Sequence, residues 1–206
     1  QMVGDEVGDR GKCDLYVWLL MEKMVDAKIL KNVSISNHTI EPLKLYERGL
    51  RFQCSSICDF GSEEKALLTY GHAASMHNLQ ELIDNENFPN VTRSYVDSLI
   101  KKIYEPTLKL FFYNLNEEDN EITFFSHAAV GLETIEEIAK HFNVPYKVAT
   151  AKELAQTIDI INNHFTENYV KRKRMHELFP AAEMSRLYSE YVKTDNPFVR
   201  CIWNRI

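Results

Sequence analysis

Gly4-Asp5-Glu6-Val7-Gly8-Asp9-Arg10-Gly11 gathers three glycines, two aspartates and an arginine into eight residues, directly after the apolar pair Met2-Val3. Aspartate oxygens suit hard divalent cations. The arginine fork suits a phosphate, and glycine lets the backbone approach a ligand closely. Such a loop at the end of a short strand can hold metal and phosphate together; the same composition also makes a plain acidic turn. Further along, Asn37-His38 and His127 each follow an apolar run, and Arg205 stands at the end of another. Taken singly, Asn-His reads as a turn and a histidine after a strand as a satisfied hydrogen-bonding residue. Together they add amide and imidazole to the carboxylates, a mixture suited to a hydrolytic metal centre, with guanidiniums left for a phosphoryl group.

These residues need elements to position them. Lys12 to Ala27 carries helical apolar spacing, Ile29 to Ile35 reads as a short strand, and Thr39 to Arg48 is a second helix that Gly49 can stop. Ser36-Asn37-His38 is the polar loop between them. Strand, loop, helix, repeated, is the rhythm of an α/β sheet whose ligands gather at the carboxyl ends of its strands. Residues 62–106 have no strand pattern. Helical spacing over Ala66–Leu82 and Tyr95–Ile103 predicts an inserted hairpin or cap, ended by Pro106, with His72 and His77 as surface or structural residues. Leu108–Leu115 and Glu121–Ser126 then form a hairpin pattern that delivers His127 at its end. A helix is predicted over Glu133–His141. Helices over Ala151–Phe165 and Val170–Tyr191, broken near Pro180, make a second insert within 150–192. Lys171-Arg172-Lys173-Arg174 is read as a solvated helix face, and Phe198–Trp203 as a last strand with Arg205 beyond it.

The 206 residues, 45% hydrophobic and 26% charged, suffice for one core with an elaborated cap. A net charge of -6 argues against a general nucleic-acid or anionic-membrane binder. No apolar run reaches the roughly eighteen residues a membrane span needs. The cysteines Cys13, Cys54, Cys58 and Cys201 form no zinc spacing and read as small core residues of a reducing compartment. No signal peptide is visible at Gln1-Met2-Val3-Gly4, which reads as the tail of a buried strand, so further chain is expected upstream.

The residues carry a resemblance at this point. Gly4 to Gly11 resembles the Gly-Asp-x-x-Asp-Arg-Gly motif of the phosphoprotein phosphatase (PPP) family of metallophosphoesterases. Ser36-Asn37-His38-Thr39 resembles its Gly-Asn-His-Glu, Phe125-Ser126-His127-Ala128-Ala129 its later histidine segment, and Trp203-Asn204-Arg205 a tryptophan-to-arginine stretch of bacterial members. The resemblance implies an α/β fold with a metallophosphoesterase-like β-sandwich core flanked by helices, the helical insertions forming a cap. It implies a single phosphatase-like domain over 1–206, as a fragment of a longer protein. Asp5 would bridge two divalent ions, manganese first with iron or zinc as alternatives, and Asn37 and His127 would bind the second. His38 would protonate the leaving group, oriented by Asp9; Arg10, Arg205 and Asn37 would hold the phosphate.

The departures are specific. Gly8 lengthens the first motif by one residue, Ser36 replaces glycine, and Thr39 replaces glutamate. An upstream Asp-x-His-Gly and a final histidine are missing and are expected outside this sequence. The implied activity is metal-dependent hydrolysis of phosphoprotein monoesters, serine/threonine phosphate first and tyrosine phosphate second. The divergence and the large cap look like bacterial effectors, acting in the cytoplasm or secreted into a host cytosol. The alternative is a catalytically degenerate protein-interaction module.

Overall fold

The computed structural model describes residues 1–8, 13–49, 51–52, 70–180 and 194–203, with side chains from residue 76 onward in the third of these helices. Asp9, Arg10, Arg205, Cys54, Cys58 and the His72 side chain lie outside the described residues. Helix α1 (Asp14–Asp26) buries Leu15, Trp18 and Met21, whose spacing of three keeps them on one face. It ends where Lys28 adopts a left-handed φ of 60°. Ile29 and Leu30 still donate their N–H groups to the Met24 carbonyl at 2.9 and 3.0 Å. The strand expected from Ile29 therefore starts only at β1 (Val33–Ser34).

β1 lies between Met2 and β2 (Leu108–Lys109), all parallel. Met2 bridges to Val33, and Val33 and Ser34 register with Leu108 and Lys109. Val33, Ile35, Leu108 and Leu110 are fully buried, as parallel strands covered on both faces require. The carboxyl ends of Met2 and β1 lead directly into Gly4-Asp5 and into Ser36-Asn37-His38. That polar triplet is not a loop. Asn37 and His38 are the first residues of α2 (Asn37–Glu47), and Ser36 is its cap, accepting the Thr39 N–H at 3.0 Å.

Helices α3 (Tyr70–Asp84) and α4 (Arg93–Thr107) follow. α4 runs on through Pro106 and buries Val96, Leu99, Ile100, Ile103 and Tyr104 towards α1 and α2. His77 sits on the surface, paired with Glu81 at 3.4 Å. The run Leu108–Leu115, expected as one strand, is two. Leu110 donates its N–H to Asn162 Oδ1 at 3.1 Å, and Asn162 Nδ2 donates to the Phe111 carbonyl at 2.7 Å. A side chain thus satisfies the backbone at the break, and the chain leaves β1 to pair as β3 (Phe112–Asn116) with antiparallel β4 (Glu121–Phe125).

Helix α5 (Leu132–His141) comes next, then α6 (Ala151–Phe165), which opens on a Thr150/Glu153 capping box and continues as a π-helix over Thr166–Val170. Lys171–Arg174 then form an exposed turn rather than a helix face. Lys173 stands 4.0 Å from the centre of the Tyr46 ring, and α7 (Met175–Leu178) starts at once. The strand expected over Phe198–Trp203 is instead a short helix, α8 (Pro197–Arg200). Asn196 caps it by accepting the Phe198 and Val199 N–H groups at 3.0 and 3.2 Å, and Pro197 occupies the first helical position, where its fixed φ suits a helix. Its apolar residues signalled core, not strand. Cys201 is buried there, its thiol pushed up to about 12 by burial, whereas Cys13 is exposed and not a core residue.

The described strands form two two-stranded sheets. With the helices around them, the fold is mixed α/β. Among the described residues, no helix is long and apolar enough to cross a membrane.

Candidate active site

Asp5, Asn37, His38 and His127 meet at the carboxyl ends of Met2, β1 and β4. Asp5 Oδ1 lies 3.5 Å from His127 Nε2 and 4.0 Å from His38 Nε2. His127 Nε2 lies 2.8 Å from Asn37 Oδ1. The Asp5 side chain is 44% exposed, against 15% for His38 and 17% for His127. The carboxylate therefore faces solvent from between two walled-in imidazoles, open to an incoming ligand.

The backbone that presents Asp5 is unusual. Gly4 has φ +89°, and a Cβ there would meet the Ser36 Cβ at 2.6 Å and His127 Nδ1 at 3.0 Å. Asp5 itself has φ 57°, a left-handed conformation that non-glycine residues adopt only when surroundings hold them. Its N–H donates to Ser36 Oγ at 3.0 Å, the same oxygen that caps α2. One hydroxyl thus joins the Asp5 loop to the helix carrying Asn37 and His38. Serine in place of the motif's glycine has this structural reason.

Each histidine is oriented by a backbone carbonyl. His127 Nδ1 is 3.1 Å from Val3 O, and His38 Nδ1 is 3.0 Å from Gly8 O. A carbonyl only accepts, so each Nδ1 carries the hydrogen, and both Nε2 atoms are turned towards Asp5. Gly8, the additional residue in the first motif, thus orients the His38 ring through its carbonyl. Its N–H is held in turn by Asp14 Oδ1 at 3.0 Å.

The donor chemistry fits a divalent cation. With the hydrogen of Nδ1 on the Val3 carbonyl, His127 turns Nε2 towards Asn37 Oδ1 and Asp5 Oδ1. Three electron-rich atoms facing one another need a proton or a cation between them. Among the described residues, no three His, Cys, Asp or Glu side chains form a closed metal cluster; here one donor is an amide oxygen. A cavity of about 670 Å³, lined by Asn32, Lys109, Tyr113, Asp159 and Lys171 among others, holds none of these four residues. Asn32 places it at the entry side of β1, so the chemistry and this cavity lie at different places.

Sequence reasoning missed the layer beneath. Glu6 is half-buried against Tyr104 and Thr39: Tyr104 Oη donates to Glu6 Oε1 at 2.7 Å, and Thr39 Oγ1 lies 2.9 and 3.1 Å from its two oxygens. Burial pushes the Glu6 carboxyl up, and the hydrogen bonds from Tyr104 and Thr39 oppose that rise. Burial, with the adjacent Glu6 carboxylate, pushes the Tyr104 phenol well up, so it stays an O–H donor. A glutamate within a glycine-aspartate loop was the available signal. Tyr104, one residue past the helix predicted over Tyr95–Ile103, carried no signal of its own.

The sequence pattern of the family described as "WipA-like, phosphatase domain" matches residues 1–206. Among solved structures, the phosphatase domain of the Legionella effector WipB is similar, with a TM-score of 0.81 and 31% identity. That match covers 98% of this chain and 63% of the other, so the chain spans less than two thirds of that relative's length. No curated protein matches the chain.

Proposed function

The chain belongs to the WipA-like phosphatase domain family, and from that membership we propose that it is a metal-dependent phosphoprotein phosphatase. The convergence of Asp5, Asn37 and His127, with His38 beside them, carries this reading. Asp5, Asn37 and His127 are the residues that would hold divalent ions, manganese first, with Asp5 shared between two of them. Ions bound there would supply an activated water and neutralise phosphoryl oxygens.

The remaining work falls to this chain's own groups. His38 Nε2, with Nδ1–H anchored on the Gly8 carbonyl, is aimed to give a proton to the leaving-group oxygen. The N-terminus of α2 lies at the same place, and its partial positive charge favours a phosphoryl group. Arg10, two residues beyond Gly8, and Arg205 are assigned to the phosphate oxygens, and Asp9 to support of His38. We read the Met2–β1–β2 group as part of a metallophosphoesterase-like core, capped by helices of 62–106 and 150–192. Likeness to a Legionella effector domain supports secretion into a host cytosol.

Manganese-dependent hydrolysis of an aryl phosphate, measured for the intact chain and for His38→Ala and Asp5→Asn, tests the reading. Hydrolysis by the parent with loss in both variants is the expected result. Activity surviving both substitutions sinks the site assignment, and a parent that takes up no manganese points to a degenerate binding module. Phosphopeptide panels then rank serine/threonine against tyrosine phosphate, the former expected first.

A further inference from the structure

Beneath the Asp5 loop, a chain of hydrogen bonds runs through buried side chains from α2 to α1. Ser36 Oγ accepts the N–H groups of Asp5 and Thr39, each at 3.0 Å. Both its lone pairs are then used, so its own hydrogen must go to Thr39 Oγ1, 2.7 Å away. Thr39, receiving that hydrogen, turns its own towards Glu6 at 2.9 Å. From the other side, Trp18 Nε1 donates to Tyr104 Oη at 3.0 Å, and Tyr104 donates to Glu6 Oε1 at 2.7 Å. Indole nitrogen can only donate, which fixes the direction at that end. Every hydrogen in the chain points towards Glu6, whose oxygens act only as acceptors.

We propose that Glu6 is the positioning residue of this site: its carboxylate terminates a one-way hydrogen-bond chain that holds Ser36 as acceptor for the Asp5 N–H. Ser36 joins the backbone of Asp5, in its left-handed conformation, to the cap of the helix that carries Asn37 and His38. If the chain's direction fails at Thr39, the Ser36 hydroxyl loses its only acceptor within this set and must rotate, surrendering one of its two backbone partners. Thr39 stands where the resembled motif has glutamate, and Glu6 brings a carboxylate to that same place from the neighbouring loop. The link to catalysis rests on the phosphatase reading above; the link to Asp5 geometry does not.

The test uses Thr39→Val, Thr39→Ser and Glu6→Gln in the intact chain, with manganese and an aryl phosphate. Thr39→Val keeps the shape and removes the hydroxyl. Its kcat is expected to fall about tenfold or more, the range seen when outer-shell partners are lost, with KM within about twofold. Thr39→Ser, which restores the hydroxyl, is expected to stay within about twofold of the parent. Glu6→Gln, the conservative variant, keeps an oxygen that can take the hydrogens Thr39 and Tyr104 both direct at Oε1, and is expected to stay within about twofold of the parent. Circular dichroism confirms that each variant is folded, and Thr39→Val alone decides if Glu6→Gln is not. Amide hydrogen exchange at Asp5 is read in parallel: about tenfold faster in Thr39→Val, unchanged in Thr39→Ser. Folded Thr39→Val with parental kcat, or equal losses in the valine and serine variants, overturns the proposal. A parent without phosphatase activity refutes the phosphatase reading alone; Asp5 exchange unchanged in Thr39→Val refutes the positioning role alone.

Discussion

Gly4→Ala probes the closest backbone approach in the candidate site. Gly4 has φ +89°, so alanine there bears the left-handed penalty of about 1–2 kcal/mol. Its Cβ would also lie 2.6 Å from the Ser36 Cβ and 3.0 Å from His127 Nδ1. Ser36 is held by two backbone N–H groups, and His127 by Val3 and Asn37, so neither gives way freely. Overpacking of this kind adds about 1–3 kcal/mol, for a total near 3 kcal/mol. In a chain of this size that lowers Tm by about 6–12 °C. Gly49 provides the control: φ is +65°, and nothing lies within 4 Å of its added Cβ. Gly49→Ala thus keeps only the conformational penalty, about 2–8 °C. Thermal melts by circular dichroism and manganese-dependent aryl phosphate hydrolysis are measured on both. Gly4→Ala is expected to lose more Tm than the control and at least about tenfold in kcat through displaced site groups; Gly49→Ala keeps parental kcat. Equal melts and equal kcat for the two variants would refute the close-approach reasoning.

Asn162→Ala leaves the Leu110 N–H and the Phe111 carbonyl without their side-chain partner. With about 1–3 kcal/mol for each buried group left unsatisfied, urea unfolding should show a loss of about 2–6 kcal/mol. Burial lowers the Lys44 pKa from 10.5 to about 8, against the raising effect of Glu41 and Glu47. The unfolded chain then binds more protons between those values, so stability rises with pH across that window. The advantage of Lys44→Met over the parent should therefore be largest below pH 8 and shrink by about 3 kcal/mol on reaching pH 10.5, as read from urea midpoints; a difference independent of pH refutes it. Thr39→Glu, which restores the resembled motif, sets a second carboxylate against Glu6 at a fully buried position and should destabilise by about 3 kcal/mol or more in the same assay.

Local signals carried much of the architecture. The stripe of Leu15, Trp18 and Met21 marked α1, and the helix expected over Ala151–Phe165 is α6. The polar residues after Met2-Val3 and Ile35 were legible as neighbours because Met2 and β1 run parallel and bring their carboxyl ends together; the end of β4, from the antiparallel pair, brings His127 to them. What failed was non-local or competed locally. The break between β2 and β3 depends on Asn162, some fifty residues away. Asn196-Pro197 read as a turn before a strand, although the same pair can cap a helix and occupy its first position. Glu6 read as part of a solvated loop. Its burial depends on Tyr104 and Thr39, each delivered by a different helix.

The three departures from the resembled motifs are therefore coupled. Serine at position 36 brings a Cβ to within 2.6 Å of where a Gly4 side chain would begin, so it requires glycine opposite. The hydroxyl it adds takes the Asp5 N–H and needs an acceptor, which Thr39 provides and a glutamate at 39 would have to provide beside Glu6. Gly8, in lengthening the first loop, sets its carbonyl on His38 Nδ1, and a Cβ at Gly8 would come within 3.0 Å of the His38 carbonyl. Each change makes a demand that another meets. Degeneration leaves such demands unmet, because nothing selects the second change after the first. A set of substitutions that jointly keeps Asp5, Asn37, His38 and His127 within 4.0 Å contacts of one another is the pattern of a site rebuilt around its chemistry, and it weighs for an enzyme over an inert binding module.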